Sequence, residues 1–505
     1  MPRLPIRVPA SLALLAALVL CPSGPASAGD DAKKNADAEK SFLEKFRAAG
    51  EDAGAREKAV KDLNDAPDAV KVSVLLKKVL PKEEAPGVIS AAVGVLRGVS
   101  DPAAVKVMAA EAIEKGPWSV RGAAIEALGG VRDPGGAEAL RKVVKAGGDP
   151  KPLAAAAFAL AQTRSPDAMP EVLTLLEHTA WQVRLGAFEY LAVMRDPKSV
   201  PRLVERLEAE TGRLRREVSE VLASVTGKSY GTDVAKWKAY AAGGEAAADA
   251  VGTGKPADPA AGGGSRDVAT GPAVVEPTYY GEPIYSDKVI FVIDMSLSMN
   301  DEMVVDRDMI VRETGAVVSG GGSDGKTPDA PRDDDVMPIE WWKIRTRVDF
   351  AKAQLKYAIS TMKKDQWFDV VWFSDSVKAW QGKMVVASRS NKYRAAEWVD
   401  ALKCEGGTNT WGGLSKALHL VGNGTADENY SRGADTIYFM SDGEPSIGDI
   451  KDKDQILAAI ERIHRVRRVT INVVHIGPSQ MHFLQALASR TGGRYKFFNA
   501  KGPKK

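Results

Sequence analysis

Cysteine is almost missing from this chain: of 505 residues, only Cys21 and Cys404 carry a thiol. That excludes a disulfide-stapled scaffold and leaves apolar cores to hold the folded parts. Histidine is scarce too, five in all, and no H-E-x-x-H or cysteine–histidine cluster occurs, which argues against the usual zinc centres. Charge of one sign is not in excess. A net +3 on this length, with no basic stripe interleaved with aromatics, argues against nucleic acid as the main partner. The densest basic cluster, His464–Arg468, is short and closes an expected helix, where cations suit the dipole. Long apolar runs are absent as well. The longest, Leu12–Leu20, is too short to span a bilayer.

What that run does fit is an export signal. Arg3 and Arg7 precede it and Ala26-Ser27-Ala28 follows as a small-residue cleavage site, so residues 1–28 read as a signal peptide and the protein as periplasmic or extracellular. Leu20 is large for the position before a lipid-bearing cysteine, which argues against anchoring through Cys21. With the signal removed, Cys404 is left as a small buried hydrophobe.

The remainder is 44% hydrophobic and 27% charged, the profile of globular domains, and its length asks for two to four of them. Asp101-Pro102, Asp133-Pro134, Ser165-Pro166 and Asp196-Pro197 recur at spacings of 32, 32 and 31 residues. Asp or Ser before Pro opens a helix, and the segments between have helical period. Trp181–Leu191 repeats Trp118–Leu128, with both tryptophans expected as core knobs. Each unit reads as two short antiparallel helices that bury their faces only by stacking. This pattern resembles HEAT-like repeats. The resemblance implies an all-α solenoid over residues 39–242, closed by Thr226–Gly231 and Trp237. Related repeats occur in phycobilin lyases, but no pigment-handling set of residues stands here.

Residues 243–275 turn to Ala, Gly, Pro and Asp and read as a flexible linker. From 279 to 500 strands alternate with helices. Strands are expected at Val289–Ile293, Phe368–Phe373, Thr436–Phe439 and Thr470–Ile476. Helices are expected at Val348–Met362, Trp411–Val421, Asp454–Val466 and Met481–Arg490. Alternation at this spacing implies an α/β doubly wound, mainly parallel sheet.

In such sheets ligands bind at the carboxyl ends of the strands. Three polar clusters fall there: Asp294-Met-Ser296-Leu-Ser298, then Glu405-Gly-Gly-Thr408-Asn-Thr410, then Ser441-Asp442-Gly443. Alternate residues of an extended chain face one way, so Asp294, Ser296 and Ser298 can present three oxygens to one point. Carboxylates and hydroxyls without His or Cys suit Mg²⁺, Mn²⁺ or Ca²⁺. Asp-x-Ser-x-Ser, Gly-Gly-Thr-Asn-Thr and Ser-Asp-Gly, in that order, resemble the von Willebrand factor type A domain with its metal-ion-dependent adhesion site. The resemblance implies Asp294, Ser296, Ser298, Thr408 and Asp442 as the metal residues and Mg²⁺ as the metal. It also implies a protein partner whose Asp or Glu completes the coordination.

Two departures stand out. Leu297 replaces a common glycine, and residues 301–345 lengthen the loop after the first strand, either as a gate on the metal face or as a solvated insert. Gly320–Thr327 in that insert spells G-x-x-x-x-G-K-[ST], but Pro328, Ala330 and Pro331 follow where a phosphate-binding helix should start. His475 is expected to be a buried strand residue, His178 and His419 packing or surface residues, and Met295, Met299 and Met440 gap-fillers. The expectation is an exported, non-enzymatic protein-binding or adhesion factor with the helical repeats as a second surface. The alternatives are an accessory subunit of a chelatase-like AAA+ machine, and an envelope structural protein with a vestigial metal site.

Overall fold

The computed structural model describes residues 28–114, 116–250, 277–319, 336–421 and 433–499. The export signal apart from Ala28, Cys21, the P-loop-like run and linker residues 251–275 lie outside them.

The first half is a helical array. Asp101, Asp133 and Asp196 cap their helices as the Asp-Pro spacing requires, each accepting backbone N–H bonds from the first turn. Ser165 makes no such side-chain bond, and its helix opens with a 3₁₀ turn at Pro166–Ala168. Helix pairs such as Pro134–Ala146 with Pro150–Thr163, and Val200–Ala209 with Gly212–Thr226, share one continuous apolar core. Arginine–glutamate pairs bridge neighbouring helices, among them Arg184–Glu210 and Arg141–Glu171. Trp237 is fully buried, donates from Nε1 to the Gly231 carbonyl at 2.8 Å and meets Tyr230 edge-on, so it closes the array. Trp118 is not a core knob, being only half-buried. Trp181 is half-buried too, but it packs against the array core on one side and lies under the Arg213 guanidinium on another. The last helix, Val234–Ala250, breaks at Gly244 and then runs on into the segment expected as linker.

The second half is a twisted sheet. Its strands are β1 (Thr278–Tyr279), β2 (Glu282–Pro283), β3 (Lys288–Asp294), β4 (Trp367–Phe373), β5 (Val377–Ala379), β6 (Val385–Val386), β7 (Thr436–Ser441), β8 (Thr470–Gly477) and β9 (Tyr495–Asn499). β1 and β2 form a small separate hairpin. The main sheet runs β5-β4-β3-β7-β8-β9, with β6 also on β4. β4, β3, β7, β8 and β9 are mutually parallel, and only β5 and β6 run antiparallel. Val289, Phe291 and Ile293 enter the core on one face, and Ile290 and Val292 the core on the other. Helices cover both faces, which is why β3 is an unbroken apolar run rather than an alternating one. The four expected strands and four expected helices are present within a residue or two of their expected ends. β9 and the helix Arg389–Ala401 had not been anticipated.

The described ends of the 301–345 insert are packed rather than solvated. Arg307–Thr314 is helical, Val318 bridges Ile339, and Met303, Ile310 and Ile339 are buried.

The helical array docks on the sheet domain at the amino ends of β3, β7 and β8. Arg213 Nη1 donates to the carbonyls of Asp435 and Arg468, each at 2.9 Å, and Thr211 Oγ1 donates to Asp287 at 2.8 Å. Gly212, at φ +55°, allows this approach, because a Cβ there would stand 2.6 Å from the Asp287 carboxylate. Arg465 pairs with Glu126, and Arg468 stacks over Phe158. The basic cluster at 464–468 therefore does more than complement a helix dipole. Part of the face offered by the repeats is taken up by the chain's own second half.

Candidate metal centre

β3 is the strand from which the sheet winds outward, with β4 on one side and β7 on the other. The crevice beyond its carboxyl end is where an open α/β sheet accepts ligands. Asp294 is the last residue of β3 and is fully buried. Its Oδ1 accepts the Ser296 N–H at 2.8 Å, and its Oδ2 accepts the Ser441 hydroxyl at 2.6 Å. The chain then leaves the extended conformation earlier than expected, entering a 3₁₀ turn at Leu297–Asn300. The turn still brings Ser298 Oγ to 3.1 Å from Ser296 Oγ and 2.8 Å from Asp442 Oδ1, so a tight turn replaces strand alternation as the alignment device.

The glycine loop closes the opposite wall. Leu297 N–H donates to the Gly406 carbonyl at 3.1 Å, and Gly407 N–H donates to Asp375 Oδ1 at 2.6 Å. Gly406 sits at φ +59° where a Cβ would collide with the Asp375 carboxylate, so only glycine fits there. Thr408 is tied to Ser446 by a reciprocal pair of bonds, at 2.9 and 3.0 Å. Thr408 Oγ1 and Ser298 Oγ lie 3.5 and 4.0 Å from a single point above Gly443. Asn409 accepts the Gly412 N–H and caps the helix Thr410–Val421. The fold thus gathers Asp294, Ser296, Ser298, Thr408 and Asp442 on one edge. Of these, Ser298 is half-exposed and the others are buried.

Two further residues had not been anticipated. Ser441 holds Asp294, and Arg347 holds Asp442, through Nη1 to Oδ2 at 2.8 Å. Arg347 also reaches Asp301, at 3.1 Å. Arg347 follows the capping-box residue Thr346 and carries no motif of its own, whereas Ser441 was legible only as part of the Ser-Asp-Gly turn.

Electrostatics separate the two carboxylates. Burial, and secondarily the Asp442 charge, push the Asp294 carboxyl up to about 7. Burial also raises Asp442, against the lowering influence of Arg347 and Ser298. Among the described residues no cation pairs with Asp294, whereas Asp442 has Arg347. A buried carboxylate without a counter-charge is costly unless a cation or a proton neutralises it. Among the described residues no cluster of three or more His, Cys, Asp or Glu side chains forms a metal site. The donor set here is two carboxylates and three hydroxyls, an oxygen set of the kind hard divalent cations take with water making up the rest.

The other expected groups are elsewhere. His475 is buried in β8, its Nδ1 3.0 Å from the Tyr495 hydroxyl, and burial lowers its pKa to about 4. His178 Nδ1 accepts from Ala180 N–H, and His419 Nδ1 lies 2.7 Å from the Ser415 carbonyl. Cys404 is half-buried beside the core rather than within it, and its thiol is pushed up to about 11, mainly by burial. Met295, Met299 and Met440 are fully buried packing.

Fold and site together define a two-module protein: a stacked helical-repeat array, and a doubly wound α/β domain with an oxygen-lined centre at its strand ends. Comparison with known proteins gives both modules their families. Residues 137–223 match the family model for HEAT repeats, and residues 343–497 match that for the von Willebrand factor type A domain. The chain carries both. The second match starts at the end of the 301–345 insert, at residue 343, so Thr408 and Asp442 fall inside it and Asp294, Ser296 and Ser298 outside. Inter-alpha-trypsin inhibitor heavy chain H1 of Sus scrofa is 29% identical over 149 residues, covering 29% of this chain and 16% of that protein. Von Willebrand factor A domain-containing protein 3A of Homo sapiens is 25% identical over 131 residues, covering 25% of this chain and 10% of that one. The match thus spans less than a fifth of either relative. A solved structure, von Willebrand factor type A from Catenulispora acidiphila, aligns at 19% identity and a TM-score of 0.29, over 43% of this chain and 40% of that chain. Among the described residues no helix is long and apolar enough to cross a membrane.

Proposed function

We propose that this chain is an exported, non-enzymatic protein-binding factor that captures an acidic side chain of its partner through a divalent cation, Mg²⁺ foremost. The carrying observation is the fully buried Asp294 carboxylate, which pairs with no cation among the described residues and is gathered with Ser296, Ser298, Thr408 and Asp442 at one sheet edge. Asp294 and Asp442 supply the negative charge that attracts the ion, and the three hydroxyls supply neutral donors. A bound cation contributes a Lewis-acidic position open to an incoming carboxylate. Ser441 holds the Asp294 carboxylate in orientation, and the Leu297–Gly406 bond fixes the two loops against each other. The array's contacts with Asp287, Asp435 and Arg468 lie at the opposite end of the strands, so its docking leaves the capture edge uncovered by the array.

The test is metal titration of the full chain by calorimetry and thermal shift, beside Asp294→Ala. A ligand that binds only the folded state stabilises it by about 2.7 kcal/mol at a hundredfold excess over its dissociation constant. A Mg²⁺ or Mn²⁺ response that Asp294→Ala abolishes is expected, together with capture of an acidic partner that a chelator releases. Equal responses in the two proteins would refute the site.

A further inference from the structure

Where the array meets the sheet domain, a cleft of about 310 Å³ remains open, of a size that accepts a small molecule. Its walls come from both modules. The array contributes Trp118, Phe158 and Arg97, and the helix Lys453–Arg467 with the residue after it contributes Arg462, Arg465 and Arg468. The indole of Trp118 lies against Gly122, where a Cβ would approach the ring to 3.0 Å. Four guanidinium groups thus face one carboxylate, Glu126. Its Oε1 accepts from both Arg97 Nη2, at 3.0 Å, and Arg465 Nη1, at 2.6 Å. Arg468 is stacked on Phe158. Arg97 Nε and Arg462 Nη1 are buried and have no hydrogen-bond acceptor among the described residues. Glu83, which acts on Arg462 from a distance, is itself held by Arg56. Burial lowers the Arg462 pKa, the direction expected of a cation short of compensation.

A recess whose lining carries an excess of one sign of charge, here four arginines against Glu126, concentrates ions of the opposite sign, and arginine donors suit oxyanions in particular. The apolar and aromatic part of the wall adds affinity for a flat body. We propose that this cleft binds a small organic anion, an oxyanion group on a flat apolar body, with Arg97 and Arg462 donating to the oxyanion and Trp118 packing on the body. This goes beyond the metal-edge reading and does not depend on it, since the cleft lies at the other end of the sheet domain.

The test is calorimetric titration of the full chain, with chelator present, using three probes: phenyl phosphate, benzoate and inorganic phosphate. At least one aryl anion is expected to bind one site per chain, with inorganic phosphate about tenfold weaker or more. The tighter aryl probe identifies the oxyanion. Arg462→Gln, with its far-UV circular dichroism and thermal unfolding unchanged, is expected to weaken that probe by about tenfold, as loss of a hydrogen bond to a charged group does. Trp118→Leu is expected to weaken it while sparing inorganic phosphate. Failure of both aryl anions to bind at millimolar concentration overturns the proposal. So does binding that is indifferent to both substitutions, or inorganic phosphate binding as tightly as the aryl probes.

Discussion

The docking of the two modules hangs on a few polar contacts, and Arg213 is the one whose removal should be felt most. Its side chain is 12% exposed, and its guanidinium donates to two main-chain carbonyls in the turns before β7 and β8. Hydrogen bonds from a charged donor are worth about 1.5–3 kcal/mol each, and the Asp435 carbonyl keeps a second donor, the Thr470 N–H at 2.9 Å, when Arg213 is removed. Arg213 also stacks over Trp181 and pairs with Glu217, and the second of these is a partly exposed ion pair worth under about 1 kcal/mol. Arg213→Ala should therefore weaken the coupling between the modules by roughly 3–5 kcal/mol. In urea, the wild-type sheet domain should unfold together with the array or be stabilised by it. The variant should show two separated transitions, with the sheet-domain midpoint lowered, and small-angle scattering should report a larger radius of gyration. Thr211→Val, which loses only the 2.8 Å bond to Asp287, should move the same transition by about 1 kcal/mol. A single transition in Arg213→Ala, shifted by less than about 0.5 kcal/mol, would show that these contacts do not hold the modules together.

Further consequences concern the site and the array. Asp294 is raised to about 7, so the folded, metal-free state holds a proton that the unfolded chain releases near its ordinary value of 3.8. Stability of the chelated protein should therefore fall as pH rises from about 4 to 7, and Mg²⁺ affinity should drop about tenfold per unit below about 7; titration calorimetry at several pH values would refute this if affinity were flat. Arg347→Gln leaves Asp442 buried and unpaired, so it should destabilise the chelated protein by about 3 kcal/mol and enlarge the gain on adding Mg²⁺; an unchanged gain in thermal shift would count against it. Glu171 is held down to about 2, chiefly by Arg141, so the pair contributes stability above about 4.5 that is lost as pH falls through about 2. Glu171→Gln should lower the melting temperature at neutral pH, with the difference shrinking towards pH 2. Gly406→Ala should disrupt the metal loop, since its φ of +59° and the Asp375 carboxylate leave no room for a Cβ; Mg²⁺ titration showing wild-type affinity would contradict that.

Much of this architecture is legible without coordinates, because it is periodic or local. Aspartate before proline caps a helix through its own side chain, so the 32-residue rhythm marks the units of the array wherever they pack. A strand covered on both faces must be apolar throughout, so Val289–Ile293 declares a parallel sheet core, and the carboxylate and hydroxyls beyond it fall at the strand end by connectivity alone. Three ordered motifs were enough to name five oxygen-bearing residues that the fold then brings together. What the order of residues does not contain is pairing between distant segments. Arg347 meets Asp442 across 95 positions, and Arg213 meets Asp435 across 222, with no periodicity to announce either. The same holds for Trp118 and Trp181. Their repeat positions mark them as a pair, but whether an indole faces a core or a neighbouring module depends on what docks there. Those choices are made by tertiary packing, because only there do unpaired carbonyls, buried charges and open aromatic faces find the partners that satisfy them.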